Sequence, residues 1–243
     1  MSSSINKVET DLEKGSEDRI EVARTGRVVK ERAQPALAVM HKVRADPSPL
    51  GLLSFAACIF IFSLYGVRAR GIGKPNLVVG MLIFYGGICQ FLAGIMEFVA
   101  GNMFGATVFP SYAAFNLSFA LIWLPGSGIL QAYTDPSTSE LTDEFNQALA
   151  MYLFAWMIIT FIYTVAAIRS TWVLVINLVV LDIEYLLLAC GYMVNNTSLL
   201  IAGNSLGFIV AFLSVLAWAA TAGLWNSELT PFHLPVFEIT DSE

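Results

Sequence analysis

Between residues 49 and 225 the chain carries only four basic residues, Arg68, Arg70, Lys74 and Arg169, and all four fall in gaps between long apolar stretches. Six such stretches read as membrane-crossing helices, at roughly 49–67, 76–100, 104–124, 147–168, 171–194 and 199–225. A crossing helix needs about 20 mostly apolar residues. With six placed, little chain remains between them, so the expected fold is an all-α integral membrane protein with six transmembrane helices per protomer. An open sheet edge or irregular coil facing lipid would leave backbone N–H and C=O groups without partners.

Composition bears on which functions survive. Hydrophobic residues make up 56% of the 243 and charged residues 13%, where a soluble domain carries about 25% charged. That shortage argues against a soluble enzyme, a nucleic-acid binder and a disordered protein. The charge is also uneven. Nine of the thirteen Lys and Arg lie in residues 1–44, which have a net charge of +2, while the rest of the chain has −8. Three segments are therefore expected: a disordered cytosolic tail over 1–45, a six-helix transport domain over 46–226, and a short acidic tail over 227–243. The N-terminal segment has too few apolar groups to offset its chain entropy, and it lacks the apolar core of a cleaved signal peptide.

Helix boundaries have local chemistry. Asp46-Pro47-Ser48-Pro49 supplies a capping carboxylate and a first-turn proline for the first helix. Lys74-Pro75-Asn76 opens the second, and Pro125-Gly126 closes the third. Residues 125–146 form the longest loop, and Arg169-Ser170-Thr171 is a turn so tight that helices four and five should be antiparallel neighbours. With the N-terminus in the cytosol, five basic residues near the spans lie inside and three outside, which the positive-inside rule favours. Both termini are expected to be cytosolic and the membrane to be the plasma membrane. Asn195-Asn196-Thr197-Ser198 then lies outside; it contains glycosylation patterns but sits close to the membrane and reads first as a plain turn.

Cys58, Cys89 and Cys190 are isolated within spans, and His41 and His233 lie outside them. Neither set has metal-ligand or redox spacing. An intramembrane aspartyl protease would need a second Asp beside Asp182, and none exists. No catalytic residue, metal or cofactor is expected.

The spans carry two kinds of polar information. Gly80, Gly87, Gly94 and Gly101 recur every seven residues, and Gly203, Gly207 and Ala211 every four. Small-residue stripes let another helix approach closely, either within a subunit or between subunits. Gln90 and Glu97 lie beside the first stripe, with Glu97 near its interfacial end. On the fifth helix Asn177, Leu181 and Glu184 share one face, and Asp182 lies about 100° round from Leu181. An ionised Asp at mid-span costs about 2.5–3.5 kcal/mol. Such groups face a bundle interior or an aqueous path, or pair with Asn, Tyr or Thr of neighbouring helices. In the third span Pro110 precedes Ser111, Tyr112, Asn116 and Ser118. It is expected to split that stretch into a short piece and a helix, whose N-terminus would favour an anion at membrane depth.

Taken together these residues resemble the acetate uptake transporters, also called the succinate–acetate permease family. Pro49-Leu50-Gly51-Leu52 is similar to the NPAPLGL motif that opens their first helix. Phe84-Tyr85-Gly86-Gly87 with Gln90, Ala93-Gly94 and Glu97 is similar to their FYGG…Q…AG…E second helix. Gly101-Asn102, Phe104-Gly105 and Ser111-Tyr112 match a GN-FG-SY run, and the likeness continues through Tyr152, Trp156 and Thr160 to Gly191. The long charged tail is similar to that of fungal members. The resemblance implies a six-helix protomer in a homohexamer, one path per protomer, and movement of acetate and related small monocarboxylates, proton-coupled or channel-like. It implies a hydrophobic constriction of Phe55, Tyr112 and Leu181, and an entrance motif of Asp46, Pro47, Pro49, Leu50 and Gly51.

The chain departs from that pattern at Asp46 and Ser48, where the motif has Asn and Ala, at Asn116, where an aromatic is usual, and at Asp182 and Glu184. The extra carboxylates disfavour a bare anion and favour a protonated acid or a cation. Gln90, Glu97, Asn116, Asn177, Asp182 and Glu184 are read as substrate path or proton relay. The expected partners are a small carboxylate, protons, the lipid bilayer and further copies of the chain, with no nucleic acid. Ammonium movement through the same fold and a non-transporting membrane sensor are the alternatives.

Overall fold

A computed structural model describes residues 45–221, with side chains to Val215. The expected tails over 1–45 and 227–243, with His41 and His233, lie outside the described residues apart from Ala45. Six helices long and apolar enough to cross a membrane occupy the described chain: α1 (Ser48–Gly66), α2 (Pro75–Ala100), α3 (Met103–Trp123), α4 (Asp143–Ala166), α5 (Trp172–Met193) and α6 (Thr197–Thr221). An isolated antiparallel bridge, Thr134 to Leu141, is the β-type pairing among the described residues.

The helix ends follow the local chemistry. Asp46 Oδ1 accepts the Ser48 N–H at 2.9 Å, and Pro49 sits in the first turn of α1. Asn102 and Thr171 cap α3 and α5 by accepting from the Gly105 and Leu174 N–H groups. Gly101 ends α2 at φ +88°, a conformation glycine adopts without a Cβ penalty. Asn196 Oδ1 accepts from the Ser198 and Leu199 N–H groups at 2.9 and 3.2 Å, so the Asn195–Asn196 segment works as a turn and a cap.

Helix α2 packs on α1 and α3, α5 packs on α4 and α6, and α6 closes back on α1. Helices α2 and α3 meet tightly because glycines face bulky residues: a Cβ at Gly87 would press on Leu117, and the Pro110 ring fills the place a Cβ at Gly94 would take. Helices α3 and α4 are instead joined by large side chains, with Tyr112 against Trp156 and Phe115 against Tyr152. In α6, Gly203 receives Leu188 of α5. These small-residue contacts lie within one protomer. Gly80 and Gly101 differ from Gly87 and Gly94 of the same stripe, since nothing stands within 4 Å of a Cβ built at either.

The expected break at Pro110 is corrected. Helix α3 runs without interruption from Met103 to Trp123 with Pro110 inside it. Proline in a buried span is tolerated when neighbouring groups support the helix. Here Gly94 makes room for the ring, and the Thr107 and Ser111 hydroxyls donate to carbonyls one turn earlier, at 2.9 and 2.7 Å. The α-helical winding loosens in α2 instead, where residues Leu82–Cys89 form a π-helix. Such segments are frequent at functional sites.

Candidate functional site

Within the bundle lies a buried aromatic and aliphatic layer. The Phe55 and Tyr112 ring centroids lie 5.1 Å apart at 40°. Tyr112 stacks on Trp156 at 6.4 Å, and its hydroxyl meets Thr160 Oγ1 at 3.0 Å. Leu181 is fully buried in the same cluster. Phe55, Tyr112 and Leu181 each come from a different helix, so the layer exists only once α1, α3 and α5 have converged.

Two cavities flank this layer. The smaller, about 400 Å³, is walled by Phe55 and Tyr112 and reaches the helix ends at Ser48, Asn102, Arg169 and Thr171. The larger, about 640 Å³, is walled by Leu181 and reaches the opposite helix ends at Arg68, Pro75 and Thr197. Each cavity therefore has one arginine at its rim and the same closed layer as its floor.

The polar residues expected in the path separate into distinct roles. Gln90 is fully buried and lines the smaller cavity. Its Oε1 accepts from Asn116 Nδ2 at 3.1 Å, and Asn116 also donates to the Gly86 carbonyl at 3.1 Å. Both acceptors face one amide group, so the Gln90 Nε2 donor points elsewhere, and it has no partner among the described residues. Asn177 lines the same cavity but exchanges hydrogen bonds with Ser214 of α6 at 3.0 and 3.3 Å. Glu97 accepts from Ser48 Oγ at 2.5 Å and from Asn102 Nδ2 at 2.8 Å. It thus ties the first turn of α1 to the α2–α3 junction, and Ser48, one of the departures from the family motif, supplies the donor. In the entrance motif Asp46 is exposed and Pro47 buried. Pro49 and Leu50 are half-buried, while Gly51 lies against the Phe109 ring.

Glu184 is buried and lines the larger cavity, where its Oε2 has no partner among the described residues. Room for it comes from Gly207, where a Cβ would lie 2.8 Å from Glu184 Oε1 and would press on Ser63. The Trp123 indole N–H in the same wall is also unpartnered. Asp182 lines neither cavity and accepts from Thr164 Oγ1 at 2.9 Å. Thr164 and Ser214 were not anticipated, although Thr160 and Thr164 at i and i+4 on one helix face are visible in the sequence.

A family model described as the GPR1/FUN34/yaaH family matches residues 30–241. Among curated proteins, the chain is 42% identical over 206 residues to the accumulation of dyads protein 2 of Saccharomyces cerevisiae, covering 84% of this chain and 71% of that one. It is 39% identical over 203 residues to the ammonia transport outward protein 2 of the same yeast (82% and 70%). It is 36% identical over 214 residues to acetate permease A of Emericella nidulans (84% and 70%). Among solved structures, the bacterial acetate channel SatP superposes with a TM-score of 0.61 at 28% identity, covering 71% of this chain and 88% of that one.

Proposed function

This chain belongs to the GPR1/FUN34/yaaH family, and on that premise we propose a proton-linked path through each protomer, closed by Phe55, Tyr112 and Leu181. The protein is an integral membrane transporter of acetate and related small monocarboxylates. The observation that carries the path is the pair of cavities reaching opposite faces with one buried layer between them.

The layer admits a small solute that sheds its water and rejects larger or hydrated ones. On the Arg169 face, the arginine at the rim draws in an anion and the free Gln90 amide donates to its carboxylate oxygen. On the Arg68 face, the unpartnered Glu184 carboxyl meets the solute. Two ionised carboxylates in so apolar a wall repel strongly, so acid and Glu184 share a proton there. Acetate then moves with its proton and needs no buried cation. Six spans put both ends of the domain on one face; we place the Arg169 face in the cytosol of a plasma-membrane homohexamer, following charge bias and family resemblance.

Labelled acetate flux into proteoliposomes, with and without an imposed proton gradient, tests this. Flux should exceed that of protein-free liposomes and rise with the gradient; equal flux in both removes the transport reading. The unpartnered Glu184 also favours a second reading, ammonium movement. In that case ammonium, not propionate, suppresses the flux.

A further inference from the structure

Asp182 and Glu184 are two residues apart yet face different surroundings. Glu184 lines the larger cavity; Asp182 lines neither cavity and turns toward α4. There Thr164 Oγ1 lies 2.9 Å from Asp182 Oδ2 and 3.0 Å from the Thr160 carbonyl, one turn earlier in α4. Thr160 in turn holds the Tyr112 hydroxyl at 3.0 Å. Thr160 and Thr164 are both buried, so bulk water does not substitute for the bonds they make to each other and to Tyr112, while Asp182 is half-buried. The other carboxyl oxygen, Asp182 Oδ1, has no partner among the described residues.

A threonine hydroxyl has one hydrogen to donate, and Thr164 faces two acceptors. With Asp182 ionised, that hydrogen goes to the charged oxygen, because charge-assisted bonds are the stronger ones. The Thr160 carbonyl then goes without it. With Asp182 protonated, the carboxyl becomes the donor to Thr164 Oγ1, and the Thr164 hydrogen returns to the Thr160 carbonyl. The proton on Asp182 therefore selects between two hydrogen-bond arrangements in the turn of α4 that carries Thr160. One further bond connects that turn to Tyr112 in the closing layer.

We propose that Asp182 is a positioning residue for the gate, acting through Thr164 and Thr160 on the Tyr112 hydroxyl without meeting the substrate. The proposal rests on the transport reading above. Tyr112 of α3 and Tyr185 of α5 lie within electrostatic reach of Asp182. Tyr163 of α4 and Glu184 of α5 stand next to those tyrosines in turn. The described part of α6 holds no titratable side chain, and no Lys, Arg or His lies in any span. No cation is thus placed to hold the Asp182 proton state fixed.

The test uses the full chain in proteoliposomes, with kcat and KM for acetate measured from acidic to neutral pH. The variants are Asp182→Asn, Thr164→Val, Thr164→Ser and the Asp182→Asn/Thr164→Val pair. Asp182→Asn and Thr164→Val should each flatten the pH profile of kcat and leave KM within about twofold, since neither touches the path. Thr164→Ser should keep the wild-type profile, and the double variant should be no flatter than either single one, because coupled groups are not additive. Thr164→Ala replaces Thr164→Val if the latter does not assemble. A shift in KM with Asp182→Asn, an unchanged profile in both singles, or additive effects overturns the proposal. Absence of wild-type flux overturns the transport reading instead, so the two failures are distinguishable.

Discussion

Leu181→Ala tests the closing layer most directly. Leu181 is fully buried, with the larger cavity on one side and Phe55 and Tyr112 in the same cluster. Truncating a buried leucine costs about 2–5 kcal/mol, more where the void cannot be filled. Here the void opens onto an existing cavity of about 640 Å³ that solvent can reach, so the cost should fall near the low end, about 2–3 kcal/mol. The variant should therefore assemble. The space freed lies on the proposed path, where it would accommodate extra methylenes on the acid. Each methylene accepted in an apolar setting is worth about 0.8 kcal/mol, or roughly fourfold in relative rate. Propionate flux relative to acetate should thus rise about fourfold, and butyrate relative to acetate about fifteenfold. The assay is competitive uptake of labelled acids into proteoliposomes. Leu200→Ala, which trims the wall of the larger cavity toward Thr197 and away from the layer, serves as the control and should leave both ratios unchanged. If Leu181→Ala still carries acetate but keeps the wild-type ratios, Leu181 does not form the layer and the reasoning fails.

Glu184→Gln should reduce gradient-driven acetate accumulation about tenfold or more, while exchange flux without a gradient survives, because the amide fills the same space but carries no transferable proton; equal accumulation in variant and wild type would refute the role. Gly94→Ala should destabilise the bundle by about 1–3 kcal/mol, since the Pro110 ring fills the place of the added Cβ and the core would be overpacked. Gly80→Ala meets open space and should leave thermal stability in detergent unchanged or slightly raised. In the α3–α4 loop, the Ser137 hydroxyl and then its N–H donate to Asp135 at 2.6 and 2.7 Å and hold its carboxyl below the usual range. A depressed value of this kind contributes stability above the ordinary Asp value near ~3.9, and the contribution is lost as pH falls through the lower folded value. Ser137→Ala should move the Asp135 titration upward in a carbon-13 NMR titration of the full chain in micelles; an unmoved curve would contradict the assignment.

The spans were legible because lipid imposes a simple requirement on length and polarity, and the polar turn sequences punctuate it. The face of α5 bearing Asn177, Leu181 and Glu184 was legible for the same reason that any helix face is: spacing alone fixes it. Pro110 misled because its effect depends on what stands opposite. A proline inside a helix removes an N–H bond and crowds its own preceding turn, and whether the helix continues depends on the support around it; here Gly94 on another helix receives the ring, and one sequence does not display that pairing. The seven-residue glycine stripe had a similar limit. Gly87 and Gly94 take the close approach of α3, but Gly80 faces open space and Gly101 serves as a left-handed helix end. The π-helix over Leu82–Cys89 leaves no mark in composition, although it precedes Gln90 and contains Gly86. Most consequential is the split between Asp182 and Glu184. Periodicity put them about 200° apart around one helix, but only the neighbours reveal that one meets Thr164 and the other a cavity.

That split also resolves an apparent contradiction in the charge pattern. A path for carboxylates would be expected to concentrate cations, yet the arginines stand at the cavity rims and a carboxyl group, Glu184, lies within the larger one. An arginine at mid-path would bind an anion tightly and slow its release, since conduction requires sites weak enough to leave. On the proposed path, a single amide donor at Gln90 would bind weakly and release quickly. On the proposed path, a carboxyl at Glu184 would do the opposite of a cation, repelling the bare anion and admitting the acid that brings its own proton. Selection by charge at the rim and by protonation inside therefore requires acidic groups in the core and basic groups only at its ends, which is the distribution this chain has.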